Sequence, residues 1–314
     1  MPSSETSPVP TRMLADLRRA LDTGEHDDTE AEWGLRSLSG ARNNHAYAWT
    51  TPEDTPACVK LYRTDERRRA EREWAALQLL AAHEIHEVPA PLWLSLSSTR
   101  PAVAMTWVSG TPLLDAADRA TALKGLAATT HRIHAVPLTG LLAGLDRVDS
   151  IGHYIQRLTD VWPDQLAAAS DDPLTRHMQY LLDRWHASDD ATLLSRPAPG
   201  VLSRGDANLL NWLTTDTGTA CVDFEYAGRG DTATDAADLV EHISARTTDD
   251  AIWEELLPDL GITSANTPRF RAAQRTCALR WLAVLWKQRH RRTEEFTNQH
   301  QRVQEQLLHA KRAR

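Results

Sequence analysis

The sequence predicts an α+β chain of two lobes, a small antiparallel-sheet N-lobe followed by a larger, mainly helical C-lobe. Three observations carry this. Short strand-like runs with turn signals fill residues 34–62 and 92–108; helical periodicity takes over after a hinge at Gly110; and 314 residues, 41% hydrophobic and 25% charged, suffice for two packed cores. The implied division is a tail with one short helix over 1–32, an N-lobe over 33–109 and a C-lobe over 110–314.

The first dozen residues are rich in Ser, Pro and Thr and read as disordered, and residues 13–21 (MLADLRRAL) read as a short amphipathic helix. From Trp33 the pattern is strand-like: 34–38, a polar turn over 39–44, 46–50, a Pro/Asp turn and 57–62, together an antiparallel ribbon. Residues 64–82 carry Thr64 as a cap, early acids, and apolar Trp74, Leu77 and Leu80, which predicts a helix with one buried stripe. Pro89 and Pro91 end that region, and strands over 92–96 and 102–108 follow. Beyond Gly110, helices are predicted over 116–135, 150–169 and 173–187, short strands over 200–203, 212–214 and 220–224, and helices over 235–246, 269–292 and 294–312. There is no internal repeat.

A formal charge of −8 argues against nucleic acid held by a generally basic surface. Three cysteines, Cys58, Cys221 and Cys277, give neither a disulfide framework nor a zinc-like spacing, which points to a reducing cytoplasm. No apolar run has membrane-spanning length, and the N-terminus carries no signal pattern. Charge is unevenly placed: residues 265–314 hold 12 basic and 3 acidic side chains, net +9, leaving −17 elsewhere.

The chemically informative stretch is 203–225, which reads S-R-G-D-A-N-L-L-N-W-L, a turn and strand, then C-V-D-F-E. Phosphoryl transfer needs a carboxylate beside the attacking hydroxyl and oxygen ligands that hold magnesium on nucleotide phosphates. Asp206, Asn211 and Asp223 are side chains that could supply both. Lys60 sits between apolar Val59 and Leu61 on a predicted strand, and Glu73 lies thirteen residues later on the following helix. His131 and His134, at i and i+3, have no partner at metal-ligand spacing and read as helix-packing residues.

Taken in order, S-G-A-R-N-N at a strand turn, Lys60, Glu73, M-T-W-V-S-G, G-D-x-x-x-x-N, V-D-F-E and G-D-x-x-x-D (Gly230, Asp231, Asp235) resemble the aminoglycoside phosphotransferase and choline kinase family, in its antibiotic phosphotransferase branch. The resemblance spans about residues 33–246 and implies a bilobal, protein-kinase-like fold. It further implies that Ser39, Gly40 and Asn44 belong to a nucleotide-covering loop, that Lys60 and Glu73 form the phosphate-orienting ion pair, and that Met105, Thr106, Trp107 and Val108 are the hinge receiving the nucleobase. By the same resemblance Asp206 is the catalytic base, Asn211 and Asp223 are metal ligands, and Asp235 braces the catalytic loop. Asp235, Asp238, Trp281 and Trp286 are the acceptor-side candidates. The family usually has His two residues before the catalytic Asp; this chain has Arg204.

The implied reaction is Mg2+-dependent transfer of the gamma-phosphate of ATP or GTP to a hydroxyl of a small molecule. The acceptor is read as a nucleoside, macrolide or aminoglycoside antibiotic, and the basic, Trp-bearing C-terminal segment weighs against a polycation. A small-metabolite kinase and a non-catalytic nucleotide-binding pseudokinase are the alternatives. No nucleic-acid or membrane partner is expected, and the assembly is a monomer or homodimer.

Overall fold

The computed structural model of the chain describes residues 9–24, 26–38, 44–96 and 99–309. Ser39 and Gly40 of the expected nucleotide-covering loop lie outside the described residues. The first lobe is a five-stranded antiparallel sheet built from β1 (Arg36–Ser37), β2 (Asn44–Thr50), β3 (Pro56–Tyr62), β4 (Pro91–Ser95) and β5 (Ala102–Thr106), in the order β1-β2-β3-β5-β4. Side chains alternate across β3 as the pleat requires. Ala57, Val59 and Leu61 face the core that includes Met13, Leu14 and Leu17. Cys58 and Tyr62 join the opposite core, which holds Leu77 and Leu80, and Lys60 shares their face.

The three core residues Met13, Leu14 and Leu17 come from α1 (Thr11–Thr23), which stops at Gly24, whose φ of +83° and N–H to the Ala20 carbonyl at 2.8 Å make a left-handed C-cap. The sequence anticipated this helix but not α2 (His26–Trp33), whose Trp33 indole donates to buried Asp16 at 3.2 Å. Part of the segment read as a tail therefore contributes core to the N-lobe. The next helix, α3 (Arg69–Ala82), starts five residues later than predicted. Thr64 does not cap it: its hydroxyl donates to the Thr99 carbonyl at 3.0 Å, and Arg68 takes a left-handed φ of +55°. The buried stripe is as expected, with Ala76, Leu77 and Leu80 sealed.

The chain leaves β5 through a hinge into β6 (Thr111–Pro112). The C-lobe then runs α4 (Arg119–Ala135), α5 (Gly140–Ala143), α6 (Ile151–Gln156), α7 (Trp162–Ala167), α8 (Pro173–His186), α9 (Asp190–Ser195), β7 (Val201–Ser203), β8 (Trp212–Thr215), β9 (Gly218–Cys221), β10 (Gly228–Gly230), α10 (Thr232–Glu241), α11 (Asp250–Leu256), α12 (Thr267–Trp286) and α13 (Thr293–His309). A π turn over Arg157–Val161 joins α6 to α7, so the single helix expected over 150–169 carries a bulge. β6 pairs with the β8–β9 hairpin, and β7 pairs with β10. Short α9, α11 and β10 lack a periodic signal and were not foreseen. The strand expected through Phe224 ends at Cys221, because Asp223 turns the backbone at a φ of +71°.

The largest core continues from α3 and β5 through Leu123 and Leu126 of α4 to Phe224, Ala236 and Phe270. A second, wholly helical core joins Leu158, Trp162, Trp185, Leu279, Trp286 and Phe296. The basic excess of the C-terminal segment is met by carboxylates from earlier in the chain: Arg269 pairs with Asp231, Arg271 with Glu254, Arg275 with Asp190, and Arg302 with Glu241 and Asp250. The charge asymmetry of the sequence is thus internal complementarity between segments. Among the described residues no helix is long and apolar enough to cross a membrane.

Candidate active site

Three segments converge where the two lobes meet. β3 brings Lys60, α3 brings Glu73, and the turns flanking the β8–β9 hairpin bring Asp206, Asn211 and Asp223. The Lys60 Nζ donates to Glu73 Oε1 at 2.8 Å and Oε2 at 3.1 Å, and to Asp223 Oδ1 at 2.9 Å. Glu73 is fully buried and also accepts from the Tyr62 hydroxyl and, at 3.1 Å, from the Phe224 N–H. Burial alone would push the Lys60 amine toward neutrality, but Asp223 and Glu73 outweigh it and raise its pKa. Lys60 in turn overrides the burial of Asp223 and holds that carboxyl below its ordinary range.

Asp206 lies in the loop after β7. Gly205 precedes it with a φ of +82°, and a Cβ there would stand 2.1 Å from the Tyr226 carbonyl oxygen. Asp206 Oδ1 accepts from the Asn208 N–H at 2.9 Å, and Oδ2 accepts from Asn211 Nδ2 at 2.8 Å. The Asn211 amide also reaches Asp223 Oδ2 at 3.5 Å, and the Asn211 carbonyl accepts from the Val222 N–H at 2.9 Å. One hydrogen-bonded run therefore joins Glu73, Lys60, Asp223, Asn211 and Asp206. Arg204, in the position where the resemblance leads one to expect His, is buried with its guanidinium 5.6 Å from the Trp212 ring and its Nη1 3.4 Å from the Val222 carbonyl.

At the hinge Met105 is buried in the sheet, the Thr106 N–H donates to the Ala90 carbonyl at 2.9 Å and the Trp107 N–H to the Pro56 carbonyl at 2.9 Å. Val108 is the first hinge residue whose N–H lies beyond this sheet hydrogen bonding. Asn44, at the start of β2, donates from Nδ2 to Glu225 Oε2 at 2.7 Å, tying the end of the expected nucleotide loop to the strand end that carries Asp223. Burial, reinforced by Asp223 and Glu73, raises the Glu225 carboxyl to about 7.

The description "Phosphotransferase enzyme family" fits residues 34–273. The chain belongs to the phosphotransferase enzyme family. It is accordingly a phosphotransferase with an alcohol group as acceptor, and its solved neighbours share the kinase-like fold. Aminoglycoside phosphotransferase APH(4)-Ia matches over 91% of this chain and 98% of its own, at 16% identity and a TM-score of 0.62. Spectinomycin phosphotransferase APH(9)-Ia, solved with ADP and spectinomycin, matches 86% of this chain and 88% of its own at 13% identity and a TM-score of 0.56. APH(3'')-Id from Streptomyces rimosus ATCC10970 matches 85% and 98% at 19% identity and a TM-score of 0.55. No curated relative matches the sequence.

On the acceptor side this phosphotransferase departs from the sequence reading. Asp235 and Asp238 are not free carboxylates, because both are bound by Arg147: Asp235 Oδ1 accepts at 2.7 Å, and Asp238 Oδ2 accepts from the other guanidinium nitrogen. Burial would raise the Asp235 carboxyl, but Arg147 and His134 override it and hold it at about 2. His134 Nε2 lies 3.1 Å from Asp235 Oδ2, so it is more than a packing residue. Trp286 is also corrected: it is 6% exposed and sealed among helices in the second core. Trp281 is half-buried and meets the His242 ring edge-on at 4.8 Å. Arg147, His242 and Ser244 escaped the sequence reading because each sits in or beside a turn without periodicity, with partners far along the chain.

Proposed function

We propose that this enzyme moves the gamma-phosphate of ATP or GTP, with Mg2+, to a hydroxyl of a small molecule, most simply an antibiotic whose phosphorylation confers resistance. The observation that supports it is the unbroken run Glu73–Lys60–Asp223–Asn211–Asp206, in which each side chain is held by its neighbour at the interface of the two lobes. Catalysis then rests on alignment and charge more than on covalent chemistry.

In this reading Val108 and the hinge receive the base, Asn44 belongs to the loop over the phosphates, and Lys60, oriented by Glu73, meets the alpha and beta phosphates. The donor set at Asn211 and Asp223 fits a hard dication: both offer oxygen, and Asp223 Oδ2 is free of the Lys60 contact that occupies Oδ1. Magnesium bound there would neutralise charge developing on the transferred phosphoryl group. Asp206 accepts the proton of the substrate hydroxyl, with its carboxylate kept in orientation by the Asn208 N–H and Asn211. The enzyme works in the cytoplasm, as a monomer or homodimer, without nucleic acid or membrane.

The test is mass-spectrometric detection of phosphoryl addition across antibiotics and hydroxyl metabolites, with Mg2+ and either ATP or GTP. One modified antibiotic supports the reading. Transfer confined to a metabolite moves it to a housekeeping kinase, and failure of both nucleotide binding and transfer leaves a non-catalytic module.

A further inference from the structure

We propose that His242, backed by Trp281 and Arg280, is the acceptor-selecting wall of this site, and that it takes an uncharged, oxygen-bearing ring compound in preference to a polycation. This rests on the phosphotransfer reading above and names the substrate class.

The wall is fastened to the catalytic loop. Ser244 Oγ accepts from the Leu209 N–H at 2.9 Å, three residues after Asp206, and the same hydroxyl lies 2.7 Å from His242 Nδ1. The Ser244 backbone N–H also points at Nδ1, at 3.1 Å. A backbone N–H can only donate, so Nδ1 accepts and the ring proton of the neutral imidazole sits on Nε2. Nε2 has no hydrogen-bond partner among the described residues, and it is not among the polar atoms sealed from solvent. His242 therefore presents one fixed N–H donor beside the catalytic loop.

The ring stays neutral at physiological pH. Burial is the largest influence and lowers its pKa to about 4; Asp238 and Asp206 pull the other way, and Arg280 and Arg204 add to the lowering. Behind the imidazole, Trp281 supplies an apolar edge, and the Arg280 guanidinium lies 4.4 Å from the Trp281 ring and 4.6 Å from the Tyr154 ring.

Charge decides what such a wall binds. Recognition of a polycation needs free carboxylates to replace its hydration. Here the nearby carboxylates are committed: Asp235 and Asp238 to Arg147, and Asp149 to Arg280 at 3.6 Å, with His153 at 3.7 Å. Asp206 remains, and it is the proposed base. Arg280 with Asp149 and neutral His242 leave the wall without net charge and with a single outward donor. A ring carrying a carbonyl, ether or second hydroxyl oxygen next to the reacting hydroxyl fits it; a nucleoside is the simplest example.

The experiment uses the full-length protein with Mg2+ and ATP or GTP, and two acceptor sets at equal concentration: nucleosides such as uridine with other uncharged hydroxylated rings, and polycationic aminocyclitols such as kanamycin. The expected result is transfer to the uncharged set. His242→Phe, which keeps a ring and removes the donor, should raise the acceptor KM by about tenfold, the scale of one lost hydrogen bond. The nucleotide KM and Tm should hold, and His242→Gln, which restores an N–H, should recover part of the loss. Preferential transfer to the polycations overturns the inference while leaving the phosphotransfer reading intact. An unchanged acceptor KM in His242→Phe, or an equal rise in the nucleotide KM, overturns it too, as does silence from both sets while the nucleotide still binds. Loss of nucleotide binding as well would instead sink the phosphotransfer reading itself.

Discussion

Lys60 and Glu73, thirteen residues apart on a strand and a helix, meet at 2.8 Å in a site where Glu73 has no solvent exposure at all. The pair is asymmetric. Glu73 has further donors in the Tyr62 hydroxyl and the Phe224 N–H, and Lys60 has a further acceptor in Asp223. Removing Glu73 strands the Tyr62 hydroxyl and the Phe224 N–H in the interior and leaves Lys60 on Asp223 alone, whereas removing Lys60 leaves Glu73 with two donors. Glu73→Ala should therefore cost about 3–5 kcal/mol of stability, the usual scale for breaking a buried pair. Lys60→Met should cost clearly less while abolishing most turnover. Chemical denaturation of both variants, beside their nucleotide KM values, checks the ordering; equal losses would mean that the Tyr62 and Phe224 contacts do not sustain an unpaired Glu73.

Asp206→Asn keeps the shape of the side chain and one of its two hydrogen bonds. One oxygen still accepts from the Asn208 N–H, while the new amide nitrogen faces the Asn211 Nδ2 donor, so the cost is the proton acceptor together with the bond from Asn211. Turnover should fall by about 10²–10⁴, the range for loss of general-base catalysis, with nucleotide affinity within a few-fold of the parent. Single-turnover transfer and equilibrium nucleotide binding separate the two effects. Near-normal turnover would move the base to another residue.

How much of this was legible in the sequence follows from the kind of constraint each residue obeys. The convergence of Lys60, Glu73, Asp206, Asn211 and Asp223 could be expected because their residue types come in a fixed order along strand, helix, loop and strand, as the family resemblance requires. The sheet could be read because β3 alternates apolar residues, and the long helices because their periodicity is clear. The acceptor side could not. Asp235 and Asp238 look like free carboxylates until Arg147, about 90 positions earlier, is seen between them. Trp281 and Trp286 lie on the same helix five residues apart, and only the packing of Trp162 and Phe296 shows that Trp286 belongs to a core. Thr64 has the right residue type for a cap, but a hydrogen bond to Thr99 claims its hydroxyl.

Gly205 sets the position of the catalytic loop through conformation and space together. Its φ is +82°, and any Cβ would lie 2.1 Å from the Tyr226 carbonyl oxygen, which is backbone and cannot swing aside. Gly205→Ala should therefore displace the loop that carries Asp206. A shift near 1 Å at the reacting atoms lowers turnover by about 100-fold even when substrates still bind. Steady-state kinetics should show kcat falling more than either KM, together with a lower Tm. An alanine variant with parental kcat would show that the loop absorbs the added methyl group without moving Asp206.

His242 gives the stability of the protein a defined acid limb. Its pKa is about 4 in the fold, against an ordinary value of 6.5. Between those values the unfolded chain binds more protons than the native state, so stability rises with pH across this window. The contribution is complete above about pH 6.5 and is lost progressively as pH falls toward 4, with an upper limit on the order of 3 kcal/mol. The cause is burial first, with Arg280 and Arg204 adding to it against Asp238 and Asp206; in the geometry, protonating Nδ1 would also set its new N–H against the Ser244 backbone N–H at 3.1 Å. Asp235 acts at lower pH: its carboxyl is held at about 2, so its contribution is present above the ordinary carboxylate range and fades only toward pH 2. Denaturation midpoints for the parent and His242→Phe, measured every half unit from pH 4 to 8, should agree above about pH 6.5, with the parent falling below the variant as pH drops toward 4. Parallel curves across that window would show that His242 titrates at its ordinary value in the folded protein.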